Sequence, residues 1–272
     1  MTLKFKSSIS ALFVPLAYMT VLVTLSAFPL GFSIFEGRVA YSFLGVAIAF
    51  GIILIVIKRE KATFRNYELY LDKGTYGRFI QGFLWSILLG GGMILIHMYY
   101  SGLQFTVNSD HWQMFILMSL TLIPYAFIEE LIFRSVLLTR LNKTYNIWVA
   151  QIVIAILFAL YHVVGVQGQS LASAFMGPGI WSFIFVALAL KSNGISMPTG
   201  FHYGLNLVLA TIGDKSWIPG LLTVDFIAPP TTSELQAHET FGLILHLLLL
   251  VIGIAATVYL QKQMSSNKNQ PS

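Results

Sequence analysis

The chain has 272 residues, 56% of them hydrophobic and only 10% charged, with a mean hydropathy of +0.76. A soluble domain carries about 25% charged residues, so these values exclude one and point to a single integral membrane domain over residues 1–272. There are no cysteines, which removes thiol nucleophiles, disulfides and thiolate metal sites. The net charge of +5 is read through its placement in the chain, and no nucleic-acid partner is expected.

The N-terminus, "MTLKFKSSISALFVPLAYMTVLVTLSAFPLGF", has a basic start and a long apolar stretch. It is too long for a signal peptide and lacks a small-x-small cleavage site, so a retained helix is expected. Runs long enough to span a bilayer lie near 9–31, 39–57, 79–100, 112–138, 147–165, 171–190, 195–212 and 240–260. The expected fold is therefore all-α, a polytopic bundle of about eight transmembrane helices. Gly90, Gly91 and Gly92 in the third run suggest close helix packing.

Charge placement sets an orientation. With the N-terminus in the cytoplasm, Lys4, Lys6, Lys58, Arg59, Lys61, Arg65, Lys73, Arg78, Arg140, Lys143, Lys191, Lys262 and Lys268 fall inside. Arg38 and Lys215 fall outside, and Arg134 lies in the membrane. A multi-pass cell-membrane protein with both termini cytoplasmic is the expectation. The loop 58–78 is basic and tyrosine-bearing, suited to the headgroup surface. The segment 213–239 reads as a long outer loop with no assigned chemistry.

Polar groups interrupt three of the apolar runs. Glu129, Glu130 and Arg134 stand in the fourth, His162 in the fifth, and His202 with Asn206 in the seventh. Ionisable residues at bilayer depth cost about 2.5–3.5 kcal/mol each on insertion scales and mark functional sites. Glu130 and Arg134 are four apart and share a helix face as an ion pair. Glu129 is turned by about 100° from Glu130 on a 3.6-residue helix, which leaves it the freer carboxylate. Burial favours the protonated form of a carboxylate, which suits a group that accepts a proton near neutral pH. Glu129 is thus the better general base and Glu130 the better structural partner. His202 and Asn206 also share a face and can donate to a developing oxyanion. His162 can orient a water with Glu129 or pass a proton to a leaving group. His97 and His246 read as packing residues.

In this order, "EELIFR" (129–134), "FALYH" (158–162) and "HYGLN" (202–206) resemble the EExxxR, FxxxH and HxxxN motifs of the CPBP family. That family includes CAAX prenyl endopeptidases, bacteriocin-processing and self-immunity proteins, and Abi proteins. The resemblance covers about 112–212 and departs at no motif position. It implies an intramembrane endopeptidase of the glutamate type with a catalytic core from helices four to seven. Glu129 and His162 would activate a water, His202 and Asn206 would form the oxyanion hole, and Glu130 and Arg134 would support the site. No cofactor is implied. The substrate would be a membrane-bound peptide or protein terminus, lipidated or not, and the site would open toward the cytoplasm.

Depth only partly agrees with this site. From the expected helix ends, Glu129 lies about nine residues in and His202 about seven, but His162 lies about fifteen from Asn146. A zinc protease is the nearest rival, with Glu129, His162 and His202 as ligands. No HExxH motif is present; "HET" at 238–240 has no second histidine and reads as loop. Neither a GxGD pair nor a GxSG serine occurs. A non-catalytic immunity or scaffold protein that keeps the fold is a second rival. A proton-coupled transporter is a third, disfavoured because no repeated helix set is visible.

Overall fold

The computed structural model describes residues 3–26, 34–164, 170–215, 217–226 and 228–268. Residues 27–31 of the expected first span, and residue 165 at the end of the fifth, lie outside them. Eight helices form among the described residues: α1 (Leu3–Ser26), α2 (Ile34–Glu60), α3 (Thr75–Ser101), α4 (Trp112–Thr144), α5 (Ile147–Val164), α6 (Leu171–Ser192), α7 (Ser196–Thr211) and α8 (Thr232–Lys268). Among the described residues the chain is all-α apart from a two-stranded antiparallel ribbon. Its strands are β1 (Leu103–Val107) and β2 (Leu222–Phe226), paired from Leu103↔Phe226 to Val107↔Leu222.

Six helices, α2 to α6 and α8, are long and apolar enough to cross a membrane, which makes the protein multi-pass. The expected first span runs beyond the described residues, within which α1 reaches Ser26. At 16 residues α7 falls below the roughly 17–25 a span needs, and most of its side chains are covered by neighbouring helices. The bilayer explains the outward face of the bundle: Leu88 and Leu95 of α3 and Leu248 and Val251 of α8 are exposed large apolar residues.

The core lies where α4, α5, α6 and α7 meet. Leu131, Phe133, Leu137, Ile154, Phe158, Phe185 and Phe201 are buried together there. The closest helix approach joins α3 and α7. A Cβ on Gly82 would overlap the Met197 carbonyl oxygen, and one on Gly200 would overlap the Phe79 carbonyl oxygen. Gly204 meets the Ser86 hydroxyl in the same way. Small residues four apart let backbones touch, which is how helices associate without a hydrophobic driving force. Of the expected Gly90–Gly92 contact, only Gly90 meets a neighbour, the Leu205 side chain; Gly91 and Gly92 face open space.

The segment after α2 does more than coat the surface. Its short helical turn at Phe64–Tyr67 buries Tyr67, whose hydroxyl donates to Glu60 and accepts from Arg140 at 2.8 Å. Arg140 also pairs with Glu60. Asp72 then opens α3, accepting from the Gly74 N–H at 2.9 Å and from Arg78 at 2.7 Å. Arg78 donates in turn to Ser196 at 3.2 Å, which ties the start of α3 to the start of α7.

These ends move the depth discrepancy from His162 to His202, which lies six residues after Ser196. The fourth helix continues past 138 to Thr144, so Glu129 lies fifteen residues from that end. His162 lies fifteen residues after Ile147. The two side chains therefore sit at one depth, and the short count for Glu129 came from ending its helix too early.

Candidate active site

Glu129 and Glu130 are the last α-helical residues before a π-helical turn at Leu131–Leu137. Such turns widen a helix locally and recur at functional sites. The Glu130–Arg134 pair forms across this turn, with Nη1 3.3 Å from Oε1 and both side chains wholly buried. Arg134 also donates through Nη2 to the Ser182 hydroxyl at 3.0 Å. Its guanidinium lies 4.3 Å from the Phe158 ring centroid and 4.8 Å from that of Phe185, distances typical of cation–π contact. The aromatic walls replace part of the hydration that this charge loses.

His202 joins the two glutamates. Its Nδ1 lies 2.8 Å from Glu130 Oε1, and its Nε2 lies 3.5 Å from Glu129 Oε2. The ring stacks on Phe185, centroid to centroid at 4.7 Å. Glu129 Oε2 is buried and has no hydrogen-bond partner among the described residues. His162 donates through Nδ1 to the Phe158 carbonyl at 2.8 Å. A carbonyl only accepts, so this bond fixes the proton on Nδ1 and leaves Nε2 as an acceptor when the ring is neutral.

Two cavities meet here. The smaller, about 40 Å³, is lined by Glu129, His162, Asn206, Tyr125, Tyr161 and Lys215. It exceeds the roughly 10–15 Å³ that a water requires, and it offers several polar partners. The larger, about 480 Å³, has His162, His202, Asn206, Phe158, Phe185 and Trp181 in its wall. All six sequence-selected residues thus gather in one region. Glu129, Glu130, Arg134 and His202 form a continuous polar chain, while His162 and Asn206 stand across the cavities.

The larger cavity extends toward the end of the bundle that carries the ribbon. Leu103, Val224, Asp214, Lys215 and His238 contribute to it. By charge placement this is the outer end. The cytoplasmic opening implied by the resemblance and the positive-inside orientation therefore do not combine in this fold.

Three features escaped the sequence reading. Lys215, in a segment expected to carry no chemistry, lines both cavities. His97 and His246, expected to pack, line the larger one with His238. His97 Nε2 lies 2.7 Å from His238 Nδ1, and His238 belongs to α8 instead of a loop. Among the described residues no three His, Asp or Glu side chains form a metal-binding group, so the zinc triad Glu129, His162 and His202 is not preformed. His162 Nδ1 points instead to the Phe158 carbonyl, and the two His202 nitrogens point to the two glutamates.

Residues 110–208 match the family model described as Type II CAAX prenyl endopeptidase Rce1-like. This stretch, from just before α4 to near the end of α7, carries a domain of that CPBP family of intramembrane proteases, typically glutamate-type peptidases acting on proteins or peptides. Helices α1 to α3 and α8 lie outside the match. No curated protein and no solved structure matches the chain.

Proposed function

We propose that this protein is an intramembrane endopeptidase that hydrolyses a peptide bond near the terminus of a membrane-associated peptide or protein. The observation that carries the reading is Glu129: a buried carboxylate whose Oε2 makes no hydrogen bond among the described residues, lining a water-sized cavity shared with His162 and Asn206. The family domain over the same residues supports it.

In this mechanism the small cavity holds the attacking water. Glu129 takes a proton from it, and His162 Nε2 orients it. The larger cavity receives the peptide; its volume falls within the roughly 300–1,000 Å³ of small-ligand pockets, enough for a short segment. The water oxygen adds to the carbonyl carbon, with Asn206 and His202 beside the carbonyl oxygen. The C–N bond then breaks, and the proton held by Glu129 passes to the leaving amine. Glu130 and Arg134 hold the helix turn and His202 in place. The protein acts in the cell membrane as a multi-pass chain with both termini cytoplasmic.

The test compares membrane peptides by terminal sequencing in cells carrying the wild type, Glu129→Gln or His162→Ala, each shown to insert and fold. Both variants should stop peptide release. Full biological activity in both would identify a non-catalytic binding or immunity protein instead.

A further inference from the structure

The scissile carbonyl must lie where the water cavity meets the peptide cavity. Three residues line both: His162, Asn206 and Lys215. Of these, His162 is oriented by the Phe158 carbonyl, which leaves its Nε2 as an acceptor. Asn206 brings a neutral amide, and Lys215 brings a charge. His202, the other candidate donor, has both ring nitrogens directed at glutamates. Donation to a carbonyl oxygen requires Nε2 to leave Glu129.

The sequence marks Lys215 independently. Arg38 and Lys215 are the two basic residues on the side of the bundle that charge placement leaves otherwise bare. Both line the Glu129 cavity. Arg38 is held over the Trp217 ring at 4.8 Å and reaches only the smaller cavity. Lys215 is fixed by a folded-back turn at the end of α7. Gly213 takes the left-handed conformation with φ of 77°, and Asp214 N–H donates to the Leu209 carbonyl at 3.0 Å. Ile218 N–H donates to the Lys215 carbonyl at 2.8 Å. A glycine closing a helix this way sets the direction of the next residues.

We propose that Lys215 is a catalytic residue, its ammonium donating to the scissile carbonyl oxygen as that oxygen gains negative charge; this rests on the protease reading above. As the water oxygen bonds to carbon, the C=O π pair moves to the oxygen. Lys215 and Asn206 hold that pair by hydrogen bonds, joined by His202 once its Nε2 has left Glu129, and Glu129 receives the water proton. When the C–N bond breaks, the pair returns to re-form C=O and the amine takes the proton from Glu129. Lys215 keeps its protons throughout. Burial lowers its pKa below the ordinary lysine value, while Asp214 and Glu129 act in the opposite direction. The charged and titratable groups lining its two cavities are Asp214, Glu129, Arg38, Tyr125, Tyr161, His162 and, on the larger side, His97, His202, His238 and His246.

The experiment uses full-length protein in liposomes with a peptide whose cleavage is measured in wild type, Glu129→Gln, Lys215→Met and Lys215→Arg. Removing one oxyanion donor costs about 10²–10³-fold in kcat, so Lys215→Met should lose that much with KM little changed. Lys215→Arg should keep most of the rate. Wild-type kcat should fall as pH rises through the lysine's pKa, and this alkaline limb should move to higher pH in Lys215→Arg. A Lys215→Met kcat within about threefold of wild type, or an alkaline limb unmoved by arginine, overturns the proposal. If Lys215→Met fails to fold, the limb in Lys215→Arg decides. An active Glu129→Gln refutes the protease reading itself; an inactive Glu129→Gln beside a fully active Lys215→Met refutes only the role of Lys215.

Discussion

His202 stands between two carboxylates, 2.8 Å from Glu130 Oε1 through Nδ1 and 3.5 Å from Glu129 Oε2 through Nε2. Glu130 also pairs with Arg134, and the 2.8 Å contact with Nδ1 holds one proton between the ring and that carboxyl. The close approach of Nε2 to Glu129 is then favourable when one of those two atoms is protonated. The adjacent glutamates differ in their contacts: Glu130 carries the Arg134 pair and the shorter His202 contact, while Glu129 Oε2 makes no hydrogen bond among the described residues.

Substitution should separate them. Glu129→Gln should abolish cleavage and leave thermal unfolding near the wild-type temperature. Glu130→Gln leaves the Arg134 guanidinium buried without its partner, a change of about 3–5 kcal/mol in comparable buried pairs. Its unfolding temperature in detergent should fall sharply. Replacing both Glu130 and Arg134 by leucine should recover part of that loss, because the unpaired charge is gone. Equal unfolding temperatures for the two single variants would remove the distinction.

A second expectation concerns backbone contact. His202 lies between Gly200 and Gly204, the residues that press against α3. In Gly200→Ala the new methyl meets the Phe79 backbone, which has no flexible end to move. Overpacking of this kind costs about 1–3 kcal/mol and shifts the helix. Stability and cleavage should fall together, because the shifted helix carries His202 and Asn206. Gly91→Ala is the control, since nothing lies within 4 Å of its Cβ. It should be neutral in both assays.

The sequence made the helices and the polar set legible for a physical reason. Apolar runs are long when every backbone group must be satisfied internally, and charges within them are conspicuous. Helical spacing then paired Glu130 with Arg134. Spacing could not reveal which partner His202 chooses, since that depends on how α7 packs beside α4. The four-residue spacing of Gly200 and Gly204 is itself a signal of close helix contact, a better one than the run Gly90–Gly92. The ribbon was also readable in "LQFTV" and "LTVDF", which are rich in β-branched and aromatic residues. Lys215 was visible only as an exception in the charge count. Its place at two cavities required the turn after α7.

The start of α3 should respond to acid. Arg78 and the Gly74 N–H hold the Asp72 carboxyl below its ordinary value, with Thr75 adding to them. A depressed carboxylate contributes stability above its unfolded pKa of about 3.9 and loses it as pH falls through the folded value. Protection of the first-turn amides of α3, relative to their intrinsic exchange rates, should therefore fall below about pH 4 in the wild type. Asp72→Asn should show faster exchange at neutral pH and a flatter profile through the acid range. An identical acid response in the two proteins would leave Asp72 without this role.

Orientation is testable because the chain has no cysteines, so single introduced thiols report without background. Lys61 and Lys143 lie at the end of the bundle opposite the ribbon, and Asp225 lies in β2. Charge placement puts the two lysines in the cytoplasm. A membrane-impermeant thiol reagent added outside intact cells should label Asp225→Cys and spare Lys61→Cys and Lys143→Cys. The cavity beside Val224 would then receive substrate from the outer side, and cleavage of a peptide added outside should be blocked by the label at residue 225. The reverse labelling pattern would place the cavity mouth in the cytoplasm and overturn the charge-based orientation, leaving the Glu129 geometry as it stands.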